Sequence, residues 1–263
     1  MKKYLYTIVL CGLLITAFAH EYILLAYKYK VQKGDTLEMH LFVADGFNIQ
    51  LERSFQTAIT KKFQLISENG TTDLLATTKN EALPIVNTKV DFKGLGLVCM
   101  ERDYARITLP TPKFRDYLKE DNIENITINN NRGVQRERYS RYIKSLVQSK
   151  IKENDTLYKK IAGHNFEIVL LQNPYLLHIG DILKAKIFFK GKPLTGKIIT
   201  ARNRIGNEPS LKQTSRTDAN GICSFKLSRK GEWFIHATHM IPCTDKADSD
   251  WESFWASYSF AVE

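Results

Sequence analysis

His20 stands where an export signal would end. Ala17-Phe18-Ala19 is an A-x-A cleavage site, and cutting after Ala19 gives His20 a free α-amine. A terminal histidine presents two nitrogens to one metal ion, the amine and ring Nδ1. The amine titrates near pH ~7.7–8.0, so a metal displaces its proton at neutral pH. Amine and imidazole nitrogens suit Ni²⁺ or Cu²⁺. The other histidines are His40, His164, His178, His236 and His239. Alternation along a strand puts Trp233, Ile235, Ala237 and His239 on one face, and Phe234, His236 and Thr238 on the other. One extended strand therefore does not aim His236 and His239 at the same ion. His239, at the end of the apolar face, is the expected second ligand. His40, on the outward face of its strand, is a candidate additional ligand. The bland alternative is a histidine that follows the cleavage site by chance and a His239 that hydrogen-bonds at the end of a core.

Other chemistry is sparse. Asp245, Asp248, Asp250 and Glu252 form a short acidic stretch without the glycine and regular alternation of an EF-hand loop. It reads as a solvated loop. Trp251 and Trp255 would make a sugar-stacking platform only if exposed, and Trp233 reads as core. There is no G-x-S-x-G elbow, no H-E-x-x-H helix and no glycine-rich phosphate loop. The expectation is a non-enzymatic protein without catalytic residues.

The elements that must position these residues follow an export signal over 1–19. Lys2 and Lys3 precede an apolar stretch from Leu5 to Ile15, too short for a permanent membrane anchor. A soluble, periplasmic or otherwise exported protein is expected. Loss of Lys2 and Lys3 takes the formal charge from +10 to +8. Export removes nucleic acid as a routine partner; interspersed acids and bases argue for simple solubility, and the net charge would favour acidic glycans or lipid headgroups. Cleavage leaves Cys99, Cys223 and Cys243. Three cysteines do not make a disulfide framework, although Cys223 and Cys243 flank one strand and are candidates to bridge.

The first part reads as β. Tyr22 to Tyr29 opens it, and Leu37, Met39, Leu41 and Val43 alternate with Glu38, His40 and Phe42 as in a half-buried strand. Phe63–Ser67 and Leu74–Thr78 flank the turn Glu68-Asn69-Gly70, and Val86–Phe92 and Tyr104–Leu109 are further strands. Phe114 to Glu120 reads as a short helix and Asn122 to Asn131 as a loop. Tyr139, Tyr142, Ile143, Leu146 and Val147 recur at helical spacing and predict an amphipathic helix over Gln135–Ser149. Strands then recur at Phe166–Leu171, Ile182–Phe189, Lys197–Arg202, Ile222–Leu227, Trp233–Thr238 and Phe254–Val262. The expected fold is mainly β: an N-terminal β domain over 20–112, a helical and loop connecting segment over 113–160, and a C-terminal β-sandwich over 161–263.

Within that last region GKPLTGKIITARN, TSRTDANGICSFKL and GEWFIHATH resemble transthyretin-like and carboxypeptidase-regulatory-like modules. A wider resemblance rests on AHEYILLA, RYSRYIKSLV, FEIVLLQNPYLLHIGDILKAKIFFKGKPL, GEWFIHATHM and DWESFWASYSF. On these the chain resembles the bacterial periplasmic family called domain of unknown function 4198, whose members are associated with nickel and cobalt uptake among other contexts. The resemblance implies a two-domain, β-rich periplasmic protein that handles a transition metal, and with the ligand chemistry of His20 the expected ion is nickel, cobalt or copper. It carries over His20 and His239, while Val43-Ala44-Asp45-Gly46-Phe47 departs from the family's histidine-containing loop. The expected partner is a metal-uptake transporter or another envelope protein. Two alternatives stand beside metal delivery: an envelope β-sandwich that binds glycan or protein without metal, and a copper oxidase with a brace of amine and imidazole.

Overall fold

The structure, a computed structural model, describes residues 21–263. The candidate ligand His20 and the export signal lie outside the described residues. Along the chain, β1 (Glu21–Ala26), β2 (Thr36–Asp45) and β3 (Asn48–Arg53) are followed by β4 (Thr60–Ser67), β5 (Gly70–Asp73) and β6 (Val86–Lys89). The long β7 (Leu95–Pro110) leads through α1 (Thr111–Glu120) to β8 (Val134–Gln148). Then come β9 (Phe166–Leu170), β10 (Ile182–Phe189), the two-residue β11 (Lys192–Pro193), β12 (Ile198–Arg204) and β13 (Leu211–Arg216). The chain closes with β14 (Ile222–Lys226), β15 (Gly231–Pro242) and β16 (Trp251–Val262). The protein is mainly β and sandwich-like, as the patterning predicts.

Three sheets stack. The central one has eight strands in the order β13-β12-β15-β16-β8-β7-β4-β5. One of its faces carries Leu97, Tyr142, Leu146, Trp233, Ile235 and Phe254, which share a core with β9, β10 and β14 of a four-stranded sheet. The other carries Phe63, Val98, Met100, Ile143 and Val147, which pack against β1, β2 and β6 of a second four-stranded sheet. Farther along that second face, α1 packs Phe114, Tyr117 and Leu118 against Met240 and Trp255. Two cores therefore lie on opposite sides of one shared sheet, and strands from both sides of the expected 113–160 connection build that sheet.

The connection itself differs from expectation. α1 contains the predicted helix, but the amphipathic helix expected over Gln135–Ser149 is the strand β8. β8 is an inner strand, antiparallel to β7 and parallel to β16. A strand covered on both faces has apolar residues on both, so its sequence loses the period of two and mimics a helix. Ile143 and Val147 enter one core, Tyr142 and Leu146 the other. Lys144 would be prohibitive in such a place alone; its ammonium is neutralised by Glu167, and both side chains are 2 % exposed. Glu167 in turn accepts the backbone N–H groups of Ala162, Gly163 and His164.

Two smaller expectations resolve as well. The turn Glu68-Asn69-Gly70 closes the hairpin, but the return strand is Gly70–Asp73 rather than 74–78. Cys99, Cys223 and Cys243 are buried free thiols, so no bridge joins Cys223 to Cys243. Burial pushes the thiols of Cys99 and Cys223 up, to about 11 and about 12.

Candidate functional site

β1 is an edge strand, and an edge leaves backbone carbonyls without a ladder partner. The central sheet satisfies them. Ser257 on β16 donates its hydroxyl to the Tyr22 carbonyl at 2.7 Å, and the Ser259 hydroxyl donates to the Leu24 carbonyl. These contacts hold the start of the described chain against the middle of the molecule.

Glu21, the first residue of β1, is buried there. One carboxylate oxygen accepts the Gly46 amide at 2.7 Å; the other lies 2.9 Å from Nε2 of His236 on β15, within ion-pair distance but not aligned as a hydrogen bond, so that Nε2 has no hydrogen-bond partner among the described residues. The Gly46 amide is reachable because residue 46 turns at φ +63°, and a Cβ on it would come within 3.0 Å of the Arg202 guanidinium. Burial penalises the Glu21 charge, but His236, the Gly46 amide and Arg202 together hold its carboxyl below the ordinary value. Glu21, His236, Tyr22, Arg141, Trp255 and Ser257 enclose a cavity of about 10 Å³, close to the least that admits one water.

More acid gathers nearby. Glu137 on β8 accepts the hydroxyls of Tyr117, at 3.0 Å, and Ser253, and its other oxygen is buried without a partner among the described residues. Burial raises its pKa to about 7. Asp121, just past α1, is pushed well above the ordinary range by burial and by the charges of Glu21 and Glu137. The Thr238 hydroxyl, on the same face of β15 as His236, is also buried and unpartnered. The start of β1 therefore meets an imidazole, one ionised carboxylate and two carboxyl groups that hold their protons above the ordinary carboxylate range.

His239 is elsewhere. It lies on the opposite face of β15, in the ring of Phe166, Phe189 and Phe254, with its centroid 4.5 Å from that of Phe189. The predicted alternation is what the structure has, and its consequence is that Glu21 and His239 are on opposite sides of the central sheet. His239 lines a separate cavity of about 140 Å³ with Asn122, Asn125, Thr195 and Lys197. Burial, with Lys197 and Lys190 close by, lowers its pKa to about 4, so it is neutral at pH 7.

His40 is half-buried on the outer face of its sheet. Its Nδ1 lies 2.5 Å from Glu52 and its Nε2 2.9 Å from Glu38. Against the cost of burial, these two carboxylates raise its pKa and favour the protonated ring, which is no metal ligand. The structure thus brings neither His40 nor His239 to Glu21, the first described residue. Among the described residues no three His, Cys, Asp or Glu side chains converge as a metal-holding group.

The acidic stretch after β15 is structural. Asp250 meets Arg132 at 2.6 Å, Asp248 meets Arg106 at 2.7 Å and Glu252 meets Arg138 at 2.9 Å. Trp233 and Trp255 are buried and Trp251 packs on α1, so no tryptophan platform forms. His236 is the residue that pattern reading passed over. Strand alternation placed it correctly on the face away from His239. Nothing local signals that β1 crosses that face more than two hundred residues away.

The model of the family described as a domain of unknown function (DUF4198) matches residues 17–241. No curated protein matches the chain. Among solved structures, the D0-D1 domain of Intimin aligns at 12% identity over 90% of this chain and 96% of that one, with a TM-score of 0.21. At that score the alignment carries no argument about fold or site. No helix among the described residues is long and apolar enough to cross a membrane.

Proposed function

The chain belongs to the family of the domain of unknown function 4198, and we propose that it is an exported, non-enzymatic protein that binds or delivers a transition metal as an accessory to uptake. Nickel, cobalt or copper would be held at the start of the mature chain. The amine and ring of His20 form the chelate, and His236 and Glu21 are the donors beside it. The observation that carries this reading is the 2.9 Å contact between Glu21 and His236, one peptide bond from His20. The donor types fit: one imidazole, one carboxylate and a terminal chelate suit a divalent ion of the later first row. His239 takes no part in this version of the site.

Elemental analysis of the exported protein with its natural first residue tests the reading. Intact mass should correspond to residues 20–263, with one nickel, cobalt or copper per chain after mild purification. A first residue other than His20, or a metal-free protein that takes up none on titration, overturns it. The second reading, an envelope module that binds a glycan or protein without metal, is favoured by a cluster of arginine and aromatic side chains next to the chain start.

A further inference from the structure

Most arginines of this molecule meet a carboxylate, as Arg138 meets Glu252 at 2.9 Å and Arg204 meets Glu232 at 2.6 Å. Arg53, Arg102 and Arg141 form no ion pair among the described residues, and they are gathered in one place. Arg102 on β7 and Arg141 on β8 are direct partners across the antiparallel ladder. Like charges facing each other on neighbouring strands are destabilising, and neither guanidinium has an ion-pair partner among the described residues. Both lean on one ring: the Arg141 guanidinium lies 3.8 Å, and that of Arg102 5.3 Å, from the centroid of Tyr22. Arg141 also lies 4.5 Å from the Tyr139 ring. Arg53, at the end of β3, adds a third positive charge that, with Arg141, opposes the charge on Arg102.

Arg102 is only 3 % exposed, and its one side-chain acceptor among the described residues is the neutral amide of Gln56, at 2.6 Å. Nη1 of Arg102 and the Nε groups of Arg53 and Arg141 are buried with no acceptor among the described residues. A buried cation without a counter-charge is among the costliest arrangements in a folded protein. Arg53, Arg141, Tyr22 and Tyr139 are each half-buried, so the cluster opens to solvent on one side. Rings flank the guanidinium groups, and the planar donor forks match an oxyanion.

We propose that Arg102 and Arg141, which share the Tyr22 ring, and Arg53, whose charge acts on Arg102, form a binding site for a small oxyanion of the carboxylate or phosphate type. The anion neutralises the opposed Arg102 and Arg141 and accepts N–H groups that otherwise have no partner. The site adjoins the Glu21 and His236 cavity through Arg141 but stands without any metal, so it does not rest on the metal reading.

The test uses metal-free protein starting at His20, with calorimetric titration and thermal melts in citrate and in phosphate, each against sodium chloride of equal ionic strength. One anion should bind per chain and raise Tm above the chloride control. Citrate binding without phosphate binding identifies a carboxylate ligand, and the reverse a phosphate. Arg141→Gln should weaken binding at least tenfold, the loss expected for one charge-assisted donor pair. Arg53→Gln, at a strand end, provides the same test if Arg141→Gln fails to fold. Arg115→Gln, an exposed arginine on α1, should leave binding unchanged. Absence of any gain over chloride, or equal affinity in the Arg53 and Arg141 variants, overturns the proposal.

Discussion

The carboxylate of Glu21 and Nε2 of His236 are 2.9 Å apart, which ties the first described residue to the inner strand β15. The contact spans almost the whole chain in sequence. It makes the position of Glu21 a property of the folded core.

That contact has a pH signature. The folded-state pKa of Glu21 is lowered, so its stabilisation is complete above the unfolded carboxylate value, about 4.3, and is lost as pH falls through the folded value. Glu21→Gln should lower stability at pH 7 by about 1–3 kcal/mol, the cost of losing the buried charge beside His236 and the charge on the acceptor of the Gly46 amide. The deficit should shrink as the protein is acidified. Urea unfolding from pH 7 down to the acid limit reads both.

Glu137 has the opposite sign. Its pKa is raised to about 7, so the folded state holds a proton that the unfolded chain releases from about pH 4.3 upward. Stability from this group is complete below the unfolded value and is lost as pH rises through about 7. A glutamine oxygen at the same place still accepts the hydroxyls of Tyr117 and Ser253. Glu137→Gln should therefore raise Tm relative to the parent at pH 8 and gain little at pH 5. Paired thermal melts at the two pH values decide it.

Lys144 and Glu167 predict a larger loss. Lys144→Met leaves the Glu167 carboxylate buried without its cation, which costs about 3–5 kcal/mol. Glu167→Leu should not restore the loss in the double variant, because three backbone N–H groups of residues 162–164 lose their acceptor. Denaturant unfolding of both variants measures the difference.

The edge of β1 gives a local test. Ser257→Ala removes the donor to the part-buried Tyr22 carbonyl and should cost about 1–2 kcal/mol. Hydrogen exchange should quicken in β1 more than in β9 or β10, which lie across the central sheet.

Much of this architecture is legible from local pattern. The alternation of Leu37, Met39 and Leu41 marks β2, and Asp218-Ala219-Asn220-Gly221 marks the turn before β14. At that turn Asp218 accepts the amides of Asn220 and Ile222, and Gly221 sits at φ +74° where a Cβ would meet the Ile187 carbonyl at 2.9 Å. β8 is not legible as a strand, because cover on both faces erases its alternation. The shared central sheet is hidden for the same reason: the parallel pairing of β8 with β16 joins segments more than a hundred residues apart. The site was half legible. Alternation separates His236 from His239, but only the tertiary crossing of β1 over β16 selects His236.

Titration of Ni²⁺ and Cu²⁺ into protein that begins at His20 tests the central claim most directly. One site per chain is predicted. His20→Ala, or one residue added before His20, should abolish it by removing the amine and imidazole chelate. His236→Ala should weaken it about tenfold or more, the loss of one donor, and His239→Ala should leave it unchanged. Equal binding by the extended protein, or a loss in His239→Ala as large as in His236→Ala, would contradict a metal site at the start of β1.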